Sequence, residues 1–268
     1  MQTKQLPQDC AVLCLLVCGH LSAPLLADEV ILTPVADATL IERAPNNSSG
    51  GAGFFNAGTT QVGTRNRALL QFDFSSIPSD ASISSVTLEL RVVRDPGCGI
   101  ENSAFGLYRV LQPWGEGVNV PVDNAGGLGA PARPNDATWN SRFAGTSQSW
   151  AAPGGAPGID YNAQPSSSAQ IFDVGQSPYQ FESTLDTVAD VQRWLLNPGT
   201  NFGWMLISQS EESPFTARRF ASREDPLGNS PTLVVDYELV PEPGTFALWG
   251  MGLASLAFYR FRGRKVQR

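Results

Sequence analysis

Alternation of apolar and polar residues, cut at short intervals by glycine and proline, is what most limits the folds open to this chain. Over 86–92, Val86, Leu88, Leu90 and Val92 point one way and Thr87, Glu89 and Arg91 the other, the period of two that marks a half-buried strand. The run 69–74 repeats it, with Leu70, Phe72 and Phe74 on one face. The 26 glycines and 20 prolines, about a sixth of the chain, stop such runs before they lengthen, which predicts many short strands and many turns. Further strands are expected over 30–41, 105–111, 169–174, 204–208, 217–222 and 232–239.

One segment has the helical period. Over 187–196, Val188, Val191, Trp194 and Leu195 share a stripe, with Thr187 placed as N-cap and Asp190 three residues later, and Asn197-Pro198-Gly199 ends it. This predicts one short helix packed across the end of a sandwich. The stretch 113–168 carries Trp114, Trp139, Trp150 and Tyr161 among many small and polar residues, with little alternation. A connection of this length is functional or partly disordered, and its tryptophans argue that it folds back on the body.

The N-terminus reads as a secretory signal over 1–27. Lys4 opens it, an apolar core runs from Cys10 to Cys18, and Leu25-Leu26-Ala27 precedes Asp28-Glu29. The cut is expected after Ala27, with Ala23 as the alternative. Its removal takes away the only histidine, His20, and three of the four cysteines. The exported chain keeps Cys98 alone, so an internal disulfide is excluded. A Ser-His-Asp or Cys-His nucleophile and a His-ligated metal are excluded with it.

Of the 25 acidic and 18 basic residues, only Asp9, Lys4 and the five bases of the terminal cluster lie outside 28–259, leaving 24 acids against 12 bases, all arginine. That surplus disfavours nucleic acid and anionic membranes as partners. About 210 residues suffice for one good core.

The chain ends in Val240-Pro241-Glu242-Pro243-Gly244, an apolar run over 245–259, and Arg260, Arg262, Arg264, Lys265 and Arg268. The prolines stop the preceding strand. The apolar run reads as a short transmembrane helix with a cytoplasmic basic end. This tail, 239–268, resembles the PEP-CTERM sorting signal of exported proteins in Gram-negative bacteria, a segment also labelled an ice-binding protein C-terminal domain. The resemblance implies a membrane exosortase as partner and cleavage near Pro241, Glu242 and Pro243. It also implies transient anchoring in the inner membrane and a final place in the cell envelope, at the outer surface or in the extracellular matrix. An ordinary single-span anchor is the alternative.

The body, 28–238, resembles the DNRLRE-type domain grouped with carbohydrate-binding modules. The matching strings include Ala36-Asp37-Ala38-Thr39, Arg67-Ala68-Leu69-Leu70-Gln71-Phe72-Asp73, Trp114-Gly115-Glu116-Gly117, Asp136-Ala137-Thr138-Trp139-Asn140, Gly203-Trp204 and Phe220-Ala221-Ser222-Arg223-Glu224. The resemblance implies an all-β fold, a jelly-roll-type β-sandwich, with extracellular polysaccharide as ligand. Arg67-Ala68 departs from the string that names the family.

Candidate ligand contacts follow from the chemistry of sugars, whose C–H face stacks on aromatic rings and whose hydroxyls need carboxylates or amides. Trp139 offers a platform and Asp136 and Asn140 the edge contacts, with Trp114, Glu116 and Trp150 beside them. The alternative is that Trp139 pins the loop, Asp136 makes an Asx turn, and Glu116 closes a turn whose glycines serve positive φ. Asp37, Glu224 and Asp225 are candidate ligands for a structural calcium, or ordinary surface charge; no other cofactor is expected.

Paired carboxylates can cleave glycosides without histidine, and Glu116 with Asp136, or Glu211 with Glu212, are the nominees, although Glu211-Glu212-Ser213-Pro214 reads as a solvated turn. The expected function is non-catalytic polysaccharide binding. The alternatives are a structural or adhesion protein that binds other proteins and, third, a histidine-free hydrolase or lyase.

Overall fold

The computed structural model describes residues 27–121 and 127–239. The expected signal helix, transmembrane helix and Pro-Glu-Pro motif lie outside the described residues, apart from Ala27 and Leu239, which are strand residues. No helix among the described residues is long and apolar enough to cross a membrane.

In chain order the strands are β1 (Ala27–Leu32), β2 (Pro34–Ile41), β3 (Asn47–Ser48), β4 (Phe54–Thr59), β5 (Arg65–Phe72), β6 (Ala81–Leu90), β7 (Val92–Arg94), β8 (Ser103–Arg109), β9 (Ala130–Pro131), β10 (Ser167–Ile171) and β11 (Tyr179–Phe181). Helix α1 (Leu185–Leu196) follows, then β12 (Trp204–Ser208), β13 (Arg218–Ala221) and β14 (Thr232–Leu239). One sheet has the order β1-β14-β6-β11. The larger has the order β10-β8-β12-β5-β4-β13-β7, with β2 also paired to β5, and β3 pairs with β9 apart from both. The protein is all-β with one α-helix among the described residues.

The strand expected over 30–41 is two strands. Pro34 has no N–H and restrains Thr33 before it, and the chain changes sheet there: β1 pairs with β14, β2 with β5. β4 escaped the sequence reading because Phe54-Phe55-Asn56-Ala57-Gly58 lacks β-branched residues. At Gly58, φ is +97° and a Cβ would lie 2.5 Å from the Thr216 carbonyl oxygen, so only glycine fits.

Two apolar clusters hold the layers. The main one lies between the sheets, with Val86, Leu88, Leu90, Leu233 and Val235 from the smaller facing Phe55, Leu70, Phe72, Phe105, Leu206 and Phe220 from the larger. The alternation read from the sequence thus points into this core. Each such side chain contributes about 1.5–3 kcal/mol on burial. This packing is what stabilises the domain, since Cys98 is free.

Helix α1 adds Val191, Trp194 and Leu195 to the same cluster. Its N-cap is Thr184, not Thr187. Thr184 Oγ1 accepts from the Thr187 N–H (3.1 Å) and Thr187 Oγ1 from the Thr184 N–H (2.9 Å), a reciprocal capping box. Thr187 thus fills the third helical position of the box, the place the sequence reading gave to Asp190. Gln192 fastens the helix to β6, accepting from the Ile83 N–H (2.9 Å) and donating to the Ala81 carbonyl (3.1 Å).

The second cluster lies on the other face of the larger sheet, where the long connection folds over Leu40, Leu69, Met205 and Ile207.

Candidate functional site

The long connection is held by its aromatic residues. Trp114, Trp139, Trp150 and Tyr161 are all buried in the second cluster. Trp114 Nε1 donates to the Phe202 carbonyl (2.9 Å) and Trp150 Nε1 to the Thr138 carbonyl (2.8 Å). Trp139 is 4% exposed, and the guanidinium groups of Arg65 and Arg67 lie 5.5 and 5.6 Å from its ring centroid. None of the three tryptophans presents a free face for stacking a sugar; the pinning role is the one their geometry fulfils.

Asp136 is buried with them. Its Oδ2 accepts from Ser48 Oγ (2.6 Å), Asn119 Nδ2 (3.1 Å) and the Arg133 N–H (2.9 Å), so it reaches back to the residue three positions before it, not forward as in the expected Asx turn, and ties the loop to β3. Asn140 Nδ2 donates to Asn46 Oδ1 (2.9 Å).

Arg67 was legible only as a departure from a family string. It sits at the centre of this clamp, with Nε donating to Glu211 Oε1 (2.8 Å) and Nη2 to Oε2 (2.6 Å), and Nη1 to the carbonyls of Gly154 (2.9 Å) and Gly155 (3.2 Å). The turn over 211–214 has Glu212, Ser213 and Pro214 exposed as expected, but the Glu211 carboxylate is paired with a buried arginine.

Two of the three candidate calcium ligands, Asp37 and Glu224, are brought together. Asp37 on β2, Glu116 in the long connection and Glu224 after β13 bring ligand atoms within 4.8 Å of one another. Asp225 is not among them. Its Oδ2 accepts from the N–H groups of Leu227 (3.1 Å) and Asn229 (3.0 Å) and closes the following turn.

Two glycines make the approach of Glu116 feasible. A Cβ at Gly50 would fall 2.0 Å from the Glu116 carbonyl oxygen, and one at Gly115 would fall 1.9 Å from that of Asn135. Gly115 is thus required by clearance, whereas Gly117, with φ +81°, is required by backbone conformation as the sequence suggests.

Arg223 is the cation of this cluster. Its Nε and Nη2 donate to Glu116 Oε1 (2.8 Å) and Oε2 (2.9 Å), and Nε also lies 2.7 Å from Glu224 Oε1. Its backbone N–H donates to Asp37 Oδ2 (2.9 Å), and the Asp37 N–H donates to Glu116 Oε1 (2.8 Å).

Asp37 is 1% exposed. Burial pushes its carboxyl up to about 8, the Arg223 N–H opposes the rise, and the charges of Glu224 and Glu116 add to it. Burial also raises Glu224, and the bond to Glu116 raises Arg223. Three carboxylate groups are the donor type a hard cation takes, with six or more oxygens for calcium. Here both Glu116 oxygens are already engaged by a guanidinium, so the set fits calcium poorly.

An open recess lies elsewhere. A cavity of about 690 Å³ lies where the end of β5 meets α1, with Phe72, Phe74, Ile77 and Trp194 in its wall and Gln71, Asp73, Ser75 and Asn201 around them. The candidate ligand contacts named from the sequence lie in the long connection, and none of them lines this cavity.

Residues 239–265 match the PEP-CTERM protein-sorting motif. The match begins at Leu239, the last residue of β14, and covers the Pro-Glu-Pro string. The chain carries the mark of an exported protein processed by an exosortase in a Gram-negative envelope. No curated protein matches the chain.

Proposed function

We propose that this is an exported cell-envelope or matrix protein whose sandwich, of jelly-roll type and related to the DNRLRE-type carbohydrate-binding modules, binds extracellular polysaccharide without catalysis. The observation that carries the reading is the sorting motif directly following the last strand of a single folded body, which makes that body the cargo delivered to the surface.

The cavity at β5 and α1 is the seat we assign to the glycan. Its size is that of a small-ligand cleft, and apolar wall with amide and carboxylate groups at the edge is the combination a sugar ring needs. A single site of this kind binds weakly, and display of many copies on one surface raises avidity. Calcium has no part in the reading, because Arg223 offsets the acidic cluster.

Affinity electrophoresis of the full-length chain against the host's own exopolysaccharide tests it. Retardation is expected, and Ser79→Trp, which places a large ring at the exposed rim of the cavity, is expected to abolish it. Absence of retardation by the unmodified chain on any polysaccharide would favour a structural or adhesion role, and release of reducing or unsaturated ends would make it an enzyme.

A further inference from the structure

The cavity at β5 and α1 holds a polar group whose partner the chain does not supply. Trp194 stands in its wall, 1% exposed, and the indole Nε1 is buried without a hydrogen-bond partner among the described residues. The indole N–H groups of Trp114, Trp150 and Trp204 each meet an oxygen, the last on Asp190 Oδ2 at 2.9 Å. A buried donor left unpaired is destabilising. Rings flank Trp194, with Phe74 stacked on it at 5.8 Å between centroids and Trp204 edge-to-face at 4.7 Å. An aromatic face is a much weaker acceptor than an oxygen.

The rest of the wall says what kind of group carries that oxygen. An indole donates only, and Phe72, Phe74 and Ile77 beside it are apolar, so a carbonyl with a small apolar substituent suits the inner wall better than a hydroxyl does. Asp73 is the one charged side chain in the lining among the described residues, so a carboxylate on the ligand has no cation to meet there.

An acceptor is available at the edge. Gln71 spends an amide N–H on the Asn201 carbonyl (2.7 Å), and its Oε1 accepts from no described residue. The wall therefore asks for one acceptor, one apolar group and one donor.

We propose that this cavity takes the acetamido group of an N-acetylated amino sugar, an assignment that rests on the polysaccharide reading above and narrows it. The acetamido carbonyl accepts from Trp194 Nε1, the methyl lies against Phe72 and Ile77, and the amide N–H donates to Gln71 Oε1. The sugar ring itself stays at the open rim, where Asp73 and Ser75 are exposed and can meet its hydroxyls.

The test uses the full-length chain in mild detergent, grown with isotope-labelled tryptophan and followed by proton–nitrogen NMR. It is titrated with the trimer of N-acetylglucosamine, with the matching glucose trimer as control. The Trp194 indole signal is identified by its contact with the Phe74 ring and by its loss in Trp194→Phe. The acetylated trimer is expected to move it downfield, and the glucose trimer to leave it in place. Calorimetric titration is expected to show the acetylated trimer binding at least about tenfold tighter than the glucose trimer, the scale of one satisfied donor and one buried methyl. An O-acetylated glucose trimer is expected to move the signal but to bind more weakly, having no N–H for Gln71.

Trp194→Phe is expected to abolish the preference for the acetylated trimer; if that variant does not fold, the signal in the unmodified chain still decides. An unmoved signal at saturating acetylated trimer would place the N–H against the Trp204 ring and overturn the proposal, as would an equal shift with the glucose trimer. Equal binding of the O-acetylated trimer would overturn the contact with Gln71. Retardation on the host's exopolysaccharide that Ser79→Trp abolishes, but that chemical N-deacetylation of the polymer leaves unchanged, would overturn the acetamido assignment and leave the polysaccharide reading standing. No retardation on any polysaccharide would remove both.

Discussion

Arg223 and Glu116, 107 residues apart in sequence, form a two-pronged ion pair with Nε–Oε1 at 2.8 Å and Nη2–Oε2 at 2.9 Å. The pair joins the loop after β13 to the long connection, and the bond from the Asp37 N–H to Glu116 adds β2. Three segments with no sequence proximity are thereby closed over one buried carboxyl group.

That carboxyl makes stability depend on pH. The folded-state value of Asp37, about 8, lies above the ordinary aspartate value of 3.8, so between those limits the folded state holds a proton that the unfolded chain releases. The contribution is complete below about pH 4 and is lost as pH rises toward 8, with a slope of at most about 1.4 kcal/mol per pH unit. Urea unfolding at pH 5, 6.5 and 8 should show the unmodified chain losing stability relative to Asp37→Asn across this range. Parallel profiles for the two proteins would mean that Asp37 is ionised throughout.

The cluster also has an expected response to calcium. With Arg223 in place, millimolar calcium should leave the melting temperature unchanged. In Arg223→Gln the carboxylates of Glu116 and Glu224 lose their counter-charge, so the variant should melt lower without calcium and regain stability on its addition. Calcium stabilisation of the unmodified chain would show that the guanidinium gives way to a metal.

Much of the main core was legible because the strands that build it carry a strict period of two. Val86, Leu88 and Leu90, Leu70 and Phe72, and the full extent of β12 and β14 were read correctly, as was the stripe on α1. What could not be read has a common cause, which is long-range pairing of polar groups. The contacts of Arg67 with Glu211 and of Arg223 with Glu116 span 144 and 107 positions, and neither period nor propensity encodes such a partner. The tryptophans of the long connection left two roles open for a related reason. Trp139 in a polar stretch looks exposed until the sheet face beneath it, Leu40 and Leu69, is known to need a cover.

Truncating Trp139 should therefore act on stability. Trp139→Ala removes a ring packed in the second cluster and is expected to cost about 3–5 kcal/mol, measured by chemical unfolding. Trp139→Phe should recover a substantial part, since a smaller ring still covers the sheet. Loss of glycan retardation by Trp139→Ala with full stability would instead show that the ring is a binding platform.

Arg67 tests the same clamp through charge. Arg67→Ala leaves Glu211 without its partner and frees the carbonyls of Gly154 and Gly155, and breaking a largely buried pair from one side costs about 3–5 kcal/mol. Replacing both partners, Arg67→Met with Glu211→Gln, should cost clearly less than Arg67→Ala, because no uncompensated charge remains. Equal losses would mean that the bonds from Arg67 to the loop carbonyls, and not the pair with Glu211, hold the connection down.

The expected signal-peptide cut and the start of the sorting match fall at one end of the smaller sheet. Ala27, at the expected signal-peptide cut, is the register partner of Glu238, and Leu239, where the sorting match begins, pairs with Ala81. Pro241 follows Leu239 by two positions, so removing 241–268 leaves the pairs of β14 with β1 and β6 in place. Deleting 241–268 should leave the melting temperature of the sandwich unchanged while moving the protein from the envelope fraction to the periplasm or medium, followed by cell fractionation. An unchanged destination would mean that the sorting motif is not read in this chain. A fall in melting temperature would mean that residues beyond β14 belong to the fold.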